Sequence, residues 1–354
     1  MENVSVSREA MTSGRQIGYG RIAAGIAVAA FAVGVAALLR RHRLLSADVQ
    51  RLAPRAPDNL PDVGDAPALR TMQPPPAPAA TAATVTAARN LNRAAGLLAA
   101  SVLADSAVEH YRGAFHNKAM VTPLIVSASA LAVSAHGVAD RRQGAHRVRH
   151  LTYAATALTG IAGGAFHIYN VGKRPGGFDW VNLFYGAPLA APLAIALSGL
   201  LGAMAERIRD TKPGTVPTLL GVPAGRASAA VASLGMLGTM GEAWLLHFRG
   251  AFHSPFMFLP VTLPPIAAVL LAATAAGTKE RNMSFTRWWL RVTSAMGLAG
   301  SGFHAYGVSR NMGGWRNWSQ NVLNGPPIPA PPSFTGLALA GLAAVRLMEE
   351  HRDA

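Results

Sequence analysis

Six histidines form three pairs that share one constant spacing along the chain, and their side chains are the ones best suited to site chemistry. The pairs are His110 with His247, His116 with His253, and His167 with His304. Imidazole is the commonest metal ligand in proteins, and it also binds haem iron. The paired histidines therefore predict a metal-ion or haem site, with three histidines contributed by each half of the sequence.

The spacing of the histidines leaves a second interpretation open. The chain has no HExxH box, and His110 and His116 are six residues apart. On a continuous helix two such side chains point about 120° away from each other, unless Gly113 ends the helix. The alternative is that the histidines form hydrogen bonds with helix ends and with the loops that follow.

Charged side chains accompany the histidines at the same offset. Asp105 corresponds to Glu242 and Arg112 to Arg249, while Glu109 has no acidic counterpart. If the helix continues, the residues at 105, 109, 112 and 116 share one face. An ionisable residue in a membrane span usually faces the bundle interior with a partner. We therefore expect Arg112 to pair with Glu109 or Asp105, and Arg249 to pair with Glu242. The alternative role of Asp105 and Glu242 is to orient a histidine ligand.

These residues belong to an internal duplication. HYRGAFHNKAMVTP (110–123) recurs as HFRGAFHSPFMFLP (247–260), with eight of fourteen positions identical. GGAFHIYNVGKRPGG (163–177) recurs as GSGFHAYGVSRNMGG (300–314), with seven of fifteen identical. After a two-residue insertion, NLFYGAPLAAP (182–192) matches NVLNGPPIPAP (321–331). Each unit contains four predicted spans, and an even number of spans predicts parallel halves about an axis normal to the membrane.

The pattern FHxYxV…GG…GxPxxxP resembles a segment of uncharacterised multi-pass bacterial inner-membrane proteins. The resemblance covers about residues 90–348 and leaves the N-terminal part outside it. It implies a bacterial inner-membrane protein. It implies no catalytic residues, because that family has no established activity.

The composition excludes most soluble classes of protein. Of the 354 residues, 51% are hydrophobic and only 14% are charged, and the mean hydropathy is +0.25. The formal charge of +15 comes from bases placed between long apolar stretches. This distribution is typical of membrane proteins and not of nucleic-acid-binding surfaces. The absence of cysteine excludes disulfides and zinc–thiolate sites.

Apolar runs predict an all-α, polytopic membrane helix bundle of about nine transmembrane helices. The first, Ile22–Leu39, ends in a basic stop and is read as an uncleaved anchor. The other eight cover about residues 92–111, 119–139, 151–170, 187–205, 228–248, 255–276, 288–308 and 328–348. The predicted organisation is an N-terminal segment with the anchor helix (1–43), a Pro/Ala-rich cytoplasmic linker (44–90), a first four-helix repeat (91–210), a basic loop (211–226), a second four-helix repeat (227–348) and a tail (349–354).

The distribution of Lys and Arg predicts the orientation in the membrane. If the segment after the anchor is cytoplasmic, that side carries 22 of the 32 basic residues and the opposite side carries 10. Because positively charged loops stay in the cytoplasm, we expect the N-terminus outside and the C-terminus inside. All six histidines then lie in one layer near the outer face.

Three functions are compatible with these features, and whether the protein is an enzyme stays open. The histidine layer favours a metal- or haem-binding redox subunit. The duplication and the charged residues within spans favour a transporter or channel-like protein with pseudo-symmetric halves. The N-terminal helix and linker favour a non-catalytic membrane anchor or assembly factor. The expected partners are the lipid bilayer and a membrane or periplasmic protein, and not nucleic acid.

Overall fold

The computed structural model describes residues 78–212, 214–277 and 283–351, which are almost entirely helical. The described α-helices are α1 Pro78–Arg112, α2 Thr122–Ala139, α3 Arg147–Gly172, α4 Trp180–Tyr185, α5 Ala191–Arg209, α6 Ala224–Arg249, α7 Leu259–Ala275, α8 Met283–Arg310, α9 Trp318–Asn324 and α10 Pro332–Glu350. Short 3₁₀ turns cover Lys118–Val121, Pro255–Phe258 and Gly314–Asn317. Strands β1 Thr218–Leu219 and β2 Val222–Pro223 form a small antiparallel hairpin between α5 and α6. The prediction of an all-α fold is confirmed, whereas the predicted anchor helix lies outside the described residues.

Four helical segments are long and apolar enough to cross a membrane. They are Lys118–Ala139, Ala191–Arg209, Ala224–Arg249 and Pro255–Ala275. The other four spans predicted after the linker also fall on helices, namely α1, α3, α8 and α10. Those helices do not combine the same length and apolar character. The four segments indicate a multi-pass membrane protein.

Helix α1 begins at Pro78, inside the segment that the sequence assigned to a linker. The sequence there is rich in alanine, which is the best helix former. Ala87, Ala88 and Leu91 have no exposed surface, so this part of the helix packs against its neighbours. Residues 78–90 therefore belong to a helix of 35 residues and not to the linker.

Close helix crossings at small residues build the core. Helix α1 packs against α2, α5 and α10, α3 packs against α5, and α6 and α8 both pack against α10. Gly160 of α3 lies so near the Ala196 backbone of α5 that a Cβ there would approach it to less than 3.0 Å. Gly297 of α8 lies in the same way against Thr335 of α10. Small residues at such crossings are typical of helices packed in membranes.

Large apolar side chains also cover the outside of the bundle. Leu158 and Ile161 on α3 are 68% and 58% exposed, Val269 on α7 is 64% exposed, and Leu298 on α8 is 58% exposed. Extended apolar surface is unfavourable in water and marks a contact surface. These faces therefore suit contact with lipid.

Candidate functional site

The chain turns sharply after α1, just before His116. Ala114 and Phe115 adopt left-handed backbone conformations, with φ of 55° and 46°. Such a conformation costs a residue with a Cβ about 1–2 kcal/mol. The Phe115 N–H donates to the His110 carbonyl, so the turn closes on the helix end. His116 leaves the helix at this turn, and the continuous charged stripe that ended at it does not form.

The same turn follows α6. Ala251 and Phe252 have φ of 54° and 46°, and the Phe252 N–H donates to the His247 carbonyl. In both turns the phenylalanine ring meets the histidine ring edge-on, with centroids 6.2 Å apart. Two corresponding stretches of the duplicated sequence therefore adopt one unusual local geometry.

His110 and His247 fasten these turns to the segment that follows. The Nδ1 atom of His110 donates to the Met120 carbonyl at 2.6 Å, and that of His247 donates to the Met257 carbonyl at 2.9 Å. Because a carbonyl can only accept, Nδ1 carries the proton and Nε2 is left as an acceptor. Each imidazole thus links a helix end to the next 3₁₀ turn.

His167 and His304 fasten the two proline-containing loops in the same manner. The Nδ1 atom of His167 donates to the Pro188 carbonyl, and that of His304 donates to the Pro327 carbonyl, both at 2.6 Å. Proline has no N–H, so loops rich in proline have fewer donors for their own carbonyl groups. The two imidazoles supply those donors.

The remaining two histidines are exposed and bond only to their own turns. His116 and His253 use Nδ1 to donate to the Gly113 and Gly250 carbonyls at 3.0 and 3.1 Å. All six histidines therefore make the helix-end and loop hydrogen bonds of the second interpretation.

The structure brings together two histidines in each half. The His247 and His304 ring centroids are 6.5 Å apart, and His110 lies within electrostatic range of His167. Across residues 78–212, 214–277 and 283–351, no group of three or more His, Asp or Glu side chains is placed to hold a metal ion. The three-histidine ligand set that the sequence predicted is not assembled in this part of the chain.

The two predicted arginine–carboxylate pairs behave differently. Arg112 forms an ion pair with Glu109 one turn earlier on α1. Arg249 does not pair with Glu242. It donates to the Phe184 carbonyl at 2.7 Å and lies over the Tyr185 ring at 5.4 Å, which ties α6 to α4.

Asp105 on α1 and Glu242 on α6 are corresponding carboxylates of the two halves. Both side chains are partly buried, and they lie within electrostatic range of each other. Neither forms an ion pair in the part of the chain that the structure describes. Arg112 acts on Asp105 through space only, and within the described residues neither carboxylate has a cationic partner in direct contact.

A buried ion network at the opposite end of α2 escaped the sequence analysis. Arg149 and Glu206 have no exposed side-chain surface and pair at 2.8 Å, and Arg149 also binds Asp140 at 2.8 Å. Arg209 donates to the Asp140 and Gly137 carbonyls at 2.9 Å each. The sequence signal for this network is an acid and a base three residues apart, Glu206 and Arg209, at the end of the otherwise apolar helix α5.

The partners set the charges of this network. Burial raises the pKa of Asp140, but the Arg142 N–H and the Arg149 guanidinium outweigh burial and bring that pKa down to about 2. Burial lowers the pKa of Arg149, and Glu206 and Asp140 more than compensate, so that pKa is raised. Arg149 and Asp140 are therefore charged at neutral pH.

The fold and these contacts define a helical protein with four candidate membrane spans. Comparison with protein-family models, with curated proteins and with solved structures finds no match to the chain. Its function is therefore inferred from the geometry of its own side chains.

Proposed function

We propose that the protein is a multi-pass membrane protein of two parallel four-helix halves, and that it passes a proton or small cation by way of Asp105 and Glu242. The observation that carries this proposal is that two corresponding carboxylates, on α1 and α6, are both partly buried and form no ion pair within the described residues, and that Asp105 lies within electrostatic range of Glu242. An ionisable residue within a membrane span is costly and is usually functional.

Matching hydrogen bonds support the organisation into halves. Arg89 donates through Nε to the Val138 carbonyl at 2.7 Å, and Arg226 donates through Nε to the Ala275 carbonyl at 2.8 Å. Arg226 follows Arg89 along the chain, and Ala275 follows Val138, by the same number of residues that separates the paired histidines. The histidine bonds to Met120 and Met257 obey this spacing too, as expected of a duplicated unit.

A second matched contact supports the alignment of the two halves after the two-residue insertion in the second half. Asn182 and Asn321 correspond to each other once the insertion is counted, and each donates through Nδ2 at 2.8 Å to a glycine carbonyl, Gly177 and Gly314 respectively. Both glycines lie in turns with positive φ. The same asparagine thus closes the same loop in each half.

The exposed apolar faces of α3 and α8 favour additional spans beyond the four candidates. If α1, α10 and the predicted anchor helix also span the membrane, the protein has about nine transmembrane helices. The excess of Lys and Arg on one side favours an outer N-terminus and a cytoplasmic C-terminus. The resemblance to bacterial inner-membrane proteins favours that compartment.

The surroundings of the carboxylate pair suit a small cation. Arg112 is engaged by Glu109, which leaves Asp105 without a direct cationic partner. On α6, a Cβ at Gly238 or Gly241 would meet no atom within 4 Å, so the helix surface beside Glu242 is open. Two neighbouring carboxylates favour a shared proton or a bound cation, because like charges at one site disfavour the ionisation of both.

Proton flux into proteoliposomes tests the proposal. The full chain is reconstituted with a trapped pH-sensitive dye, and a potassium gradient with valinomycin drives proton entry. We expect the parent protein to pass protons. The Asp105→Asn and Glu242→Gln variants should pass them at least about tenfold more slowly, because each removes one of the two carboxylates at a shared site.

Glu109→Gln is the matched control, because its carboxylate lies one turn from Asp105 but is already paired with Arg112. We expect this variant to retain flux. A sodium indicator, in vesicles with a sodium gradient and without valinomycin, tests for a cation other than the proton. Absence of both proton and sodium flux in the parent, or equal loss in the control and in the Asp105 and Glu242 variants, would contradict the proposal.

A second candidate function, electron transfer through bound metal or haem, is favoured by the tautomer of four histidines. Proteins commonly fix a ligating imidazole through a backbone carbonyl on its other nitrogen, as at His110, His167, His247 and His304. The absorption spectrum and metal content of the purified protein test this candidate. Colour or metal that is lost in His304→Ala supports it, and a colourless, metal-free parent contradicts it. The anchor or assembly role depends on residues outside the described ranges and stays a prediction.

A further inference from the structure

An open cavity of about 510 Å³ lies in the loop between α2 and α3, at the opposite end of α2 from the histidine turns. Its lining consists of His136, Ala139, Asp140, Arg141, Arg142 and His146. The proposed cation pathway uses none of these residues. They lie where the candidate span Lys118–Ala139 ends.

The backbone around this cavity is held by the buried network of α5. Arg209 donates through Nη1 to the Asp140 and Arg142 carbonyls at 2.9 and 3.0 Å, and its own carbonyl accepts from the Gly144 N–H at 2.9 Å. Glu206 accepts from the His146 N–H at 2.8 Å. The loop is therefore ordered without a ligand, which lowers the entropic cost of binding one.

The single carboxylate in the lining is already engaged on both oxygens. The Oδ1 atom of Asp140 accepts from the Arg142 N–H at 2.9 Å, and its Oδ2 atom accepts from Arg149 Nη1 at 2.8 Å. Arg149 stands behind the cavity with its own side chain fully buried. The charge of Asp140 is thus compensated by the buried Arg149, and Asp140 forms no ion pair with Arg141 or Arg142.

The rim of the cavity, formed by Arg141, Arg142, His136 and His146, presents cations and hydrogen-bond donors, and no acidic side chain of the described ranges forms an ion pair with them. Arg141 and Arg142 are exposed, and neither guanidinium joins an ion pair within residues 78–212, 214–277 and 283–351. The His136 and His146 rings stand nearly perpendicular with centroids 5.1 Å apart. Two guanidinium groups and two imidazoles around one cavity favour an anion.

We propose that this cavity binds a phosphate group, carried by an anionic lipid headgroup or by free phosphate. The planar guanidinium fork matches phosphate oxygens and binds them through two parallel hydrogen bonds. Basic pockets beside membrane helices are suited to lipid headgroups. A cavity of this volume accommodates a phosphate with its nearest substituents.

The test compares two double variants of the full chain in detergent. Arg141→Gln with Arg142→Gln removes the rim cations, and Arg207→Gln with Lys212→Gln removes two cations from the same end of the bundle outside the cavity. Native mass spectrometry measures binding of phosphatidylglycerol against phosphatidylcholine, and calorimetry measures binding of inorganic phosphate. We expect the rim variant to weaken binding about tenfold or more, as the loss of charge-assisted hydrogen bonds implies.

The two probes distinguish the source of the phosphate. Rim-dependent binding of phosphatidylglycerol alone assigns the site to a lipid headgroup, and rim-dependent binding of inorganic phosphate assigns it to free phosphate. Equal weakening in the two double variants overturns the proposal. It is also overturned if phosphatidylglycerol binds no tighter than phosphatidylcholine and inorganic phosphate binds no tighter than chloride. Melting temperatures show whether both variants are folded, and Arg142→Gln alone, with Arg207→Gln as its control, repeats the test with a smaller change.

Discussion

The two halves of the bundle are alike at the histidine turns and unlike at the opposite end. The turns after α1 and α6 share their left-handed backbone and their histidine bonds. At the other end, the buried pair Arg149–Glu206 of the first half corresponds in the duplication to Thr286 and Val345, which are also fully buried. One end is the same in both halves. At the other end, the described residues of the second half have neutral side chains in place of the buried ion pair, and their Arg287–Glu349 ion pair is partly exposed.

This difference indicates what each end contributes. A buried ion pair can be replaced by apolar side chains with little loss of stability, because desolvation offsets much of its attraction. Its presence in the first half therefore points to a local task. That task is to hold the loop of residues 140–146, whose backbone receives bonds from Arg209 and Glu206.

The largest expected effect comes from breaking the buried ion network of the first half. Glu206→Ala leaves Arg149 buried with one carboxylate instead of two, and we expect unfolding to become easier by about 3–5 kcal/mol. Glu350→Ala removes the exposed i,i+4 partner of Arg346 and should cost less than about 1 kcal/mol. Thermal unfolding in detergent measures both. Equal losses would show that the network does not hold the first half together.

Close helix crossings should respond alike in both halves. Gly160→Ala and Gly297→Ala each push a Cβ against a neighbouring backbone, and we expect a loss of about 1–3 kcal/mol in each case. Gly238→Ala is the control, because a Cβ there meets no atom within 4 Å. It should be neutral, or stabilising by about 0.5–1 kcal/mol. A tolerated alanine at one crossing alone would break the equivalence of the halves.

Acid should weaken the first half through Asp140. The pKa of this carboxyl falls from 3.8 to about 2 on folding, so its stabilisation is complete above pH 3.8 and is lost as the pH falls through about 2. The contribution is about 2 kcal/mol. The stability advantage of the parent over Asp140→Asn should shrink across this interval in melting experiments. The corresponding residue of the second half is Gly277, which does not titrate, and an unchanged advantage at pH 2 would contradict the assignment.

The smallest effects should come from the loop fastenings that both halves share. His167→Ala and His304→Ala remove one hydrogen bond each to a proline carbonyl, and we expect a loss of about 1 kcal/mol with faster hydrogen exchange in the following loop. The exposed His116 and His253 provide the controls, and alanine there should cost less than about 0.5 kcal/mol. Larger losses at His116 and His253 than at the partly buried His167 and His304 would contradict this interpretation.

The helices could be predicted from the sequence because apolar runs of about 20 residues are a strong signal. Each of the eight predicted segments after the linker lies largely on a helix. The start of α1 was missed because alanine gives high helix propensity without an apolar period. The histidine bonds matched one of two interpretations, since residue types alone do not separate a metal ligand from a loop fastening.

Contacts between distant elements could not be predicted. The bond from Arg249 to the Phe184 carbonyl depends on where α4 lies against α6. The proximity of Asp105 and Glu242 depends on how the halves pack. Spacing along the chain carries no information on either, because side-chain partners across helices are set by tertiary packing.

Labelling with a hydrophobic carbodiimide in native membranes tests the central claim most directly. This reagent modifies protonated carboxyl groups in apolar surroundings, and peptide mass spectrometry locates the adduct. If Asp105 and Glu242 hold a proton between them, one or both should be labelled, whereas Glu109 and Glu206, which are paired with arginines, should not. No label on Asp105 or Glu242, or equal label on Glu109, would contradict the assignment of the carboxylate pair as the functional site.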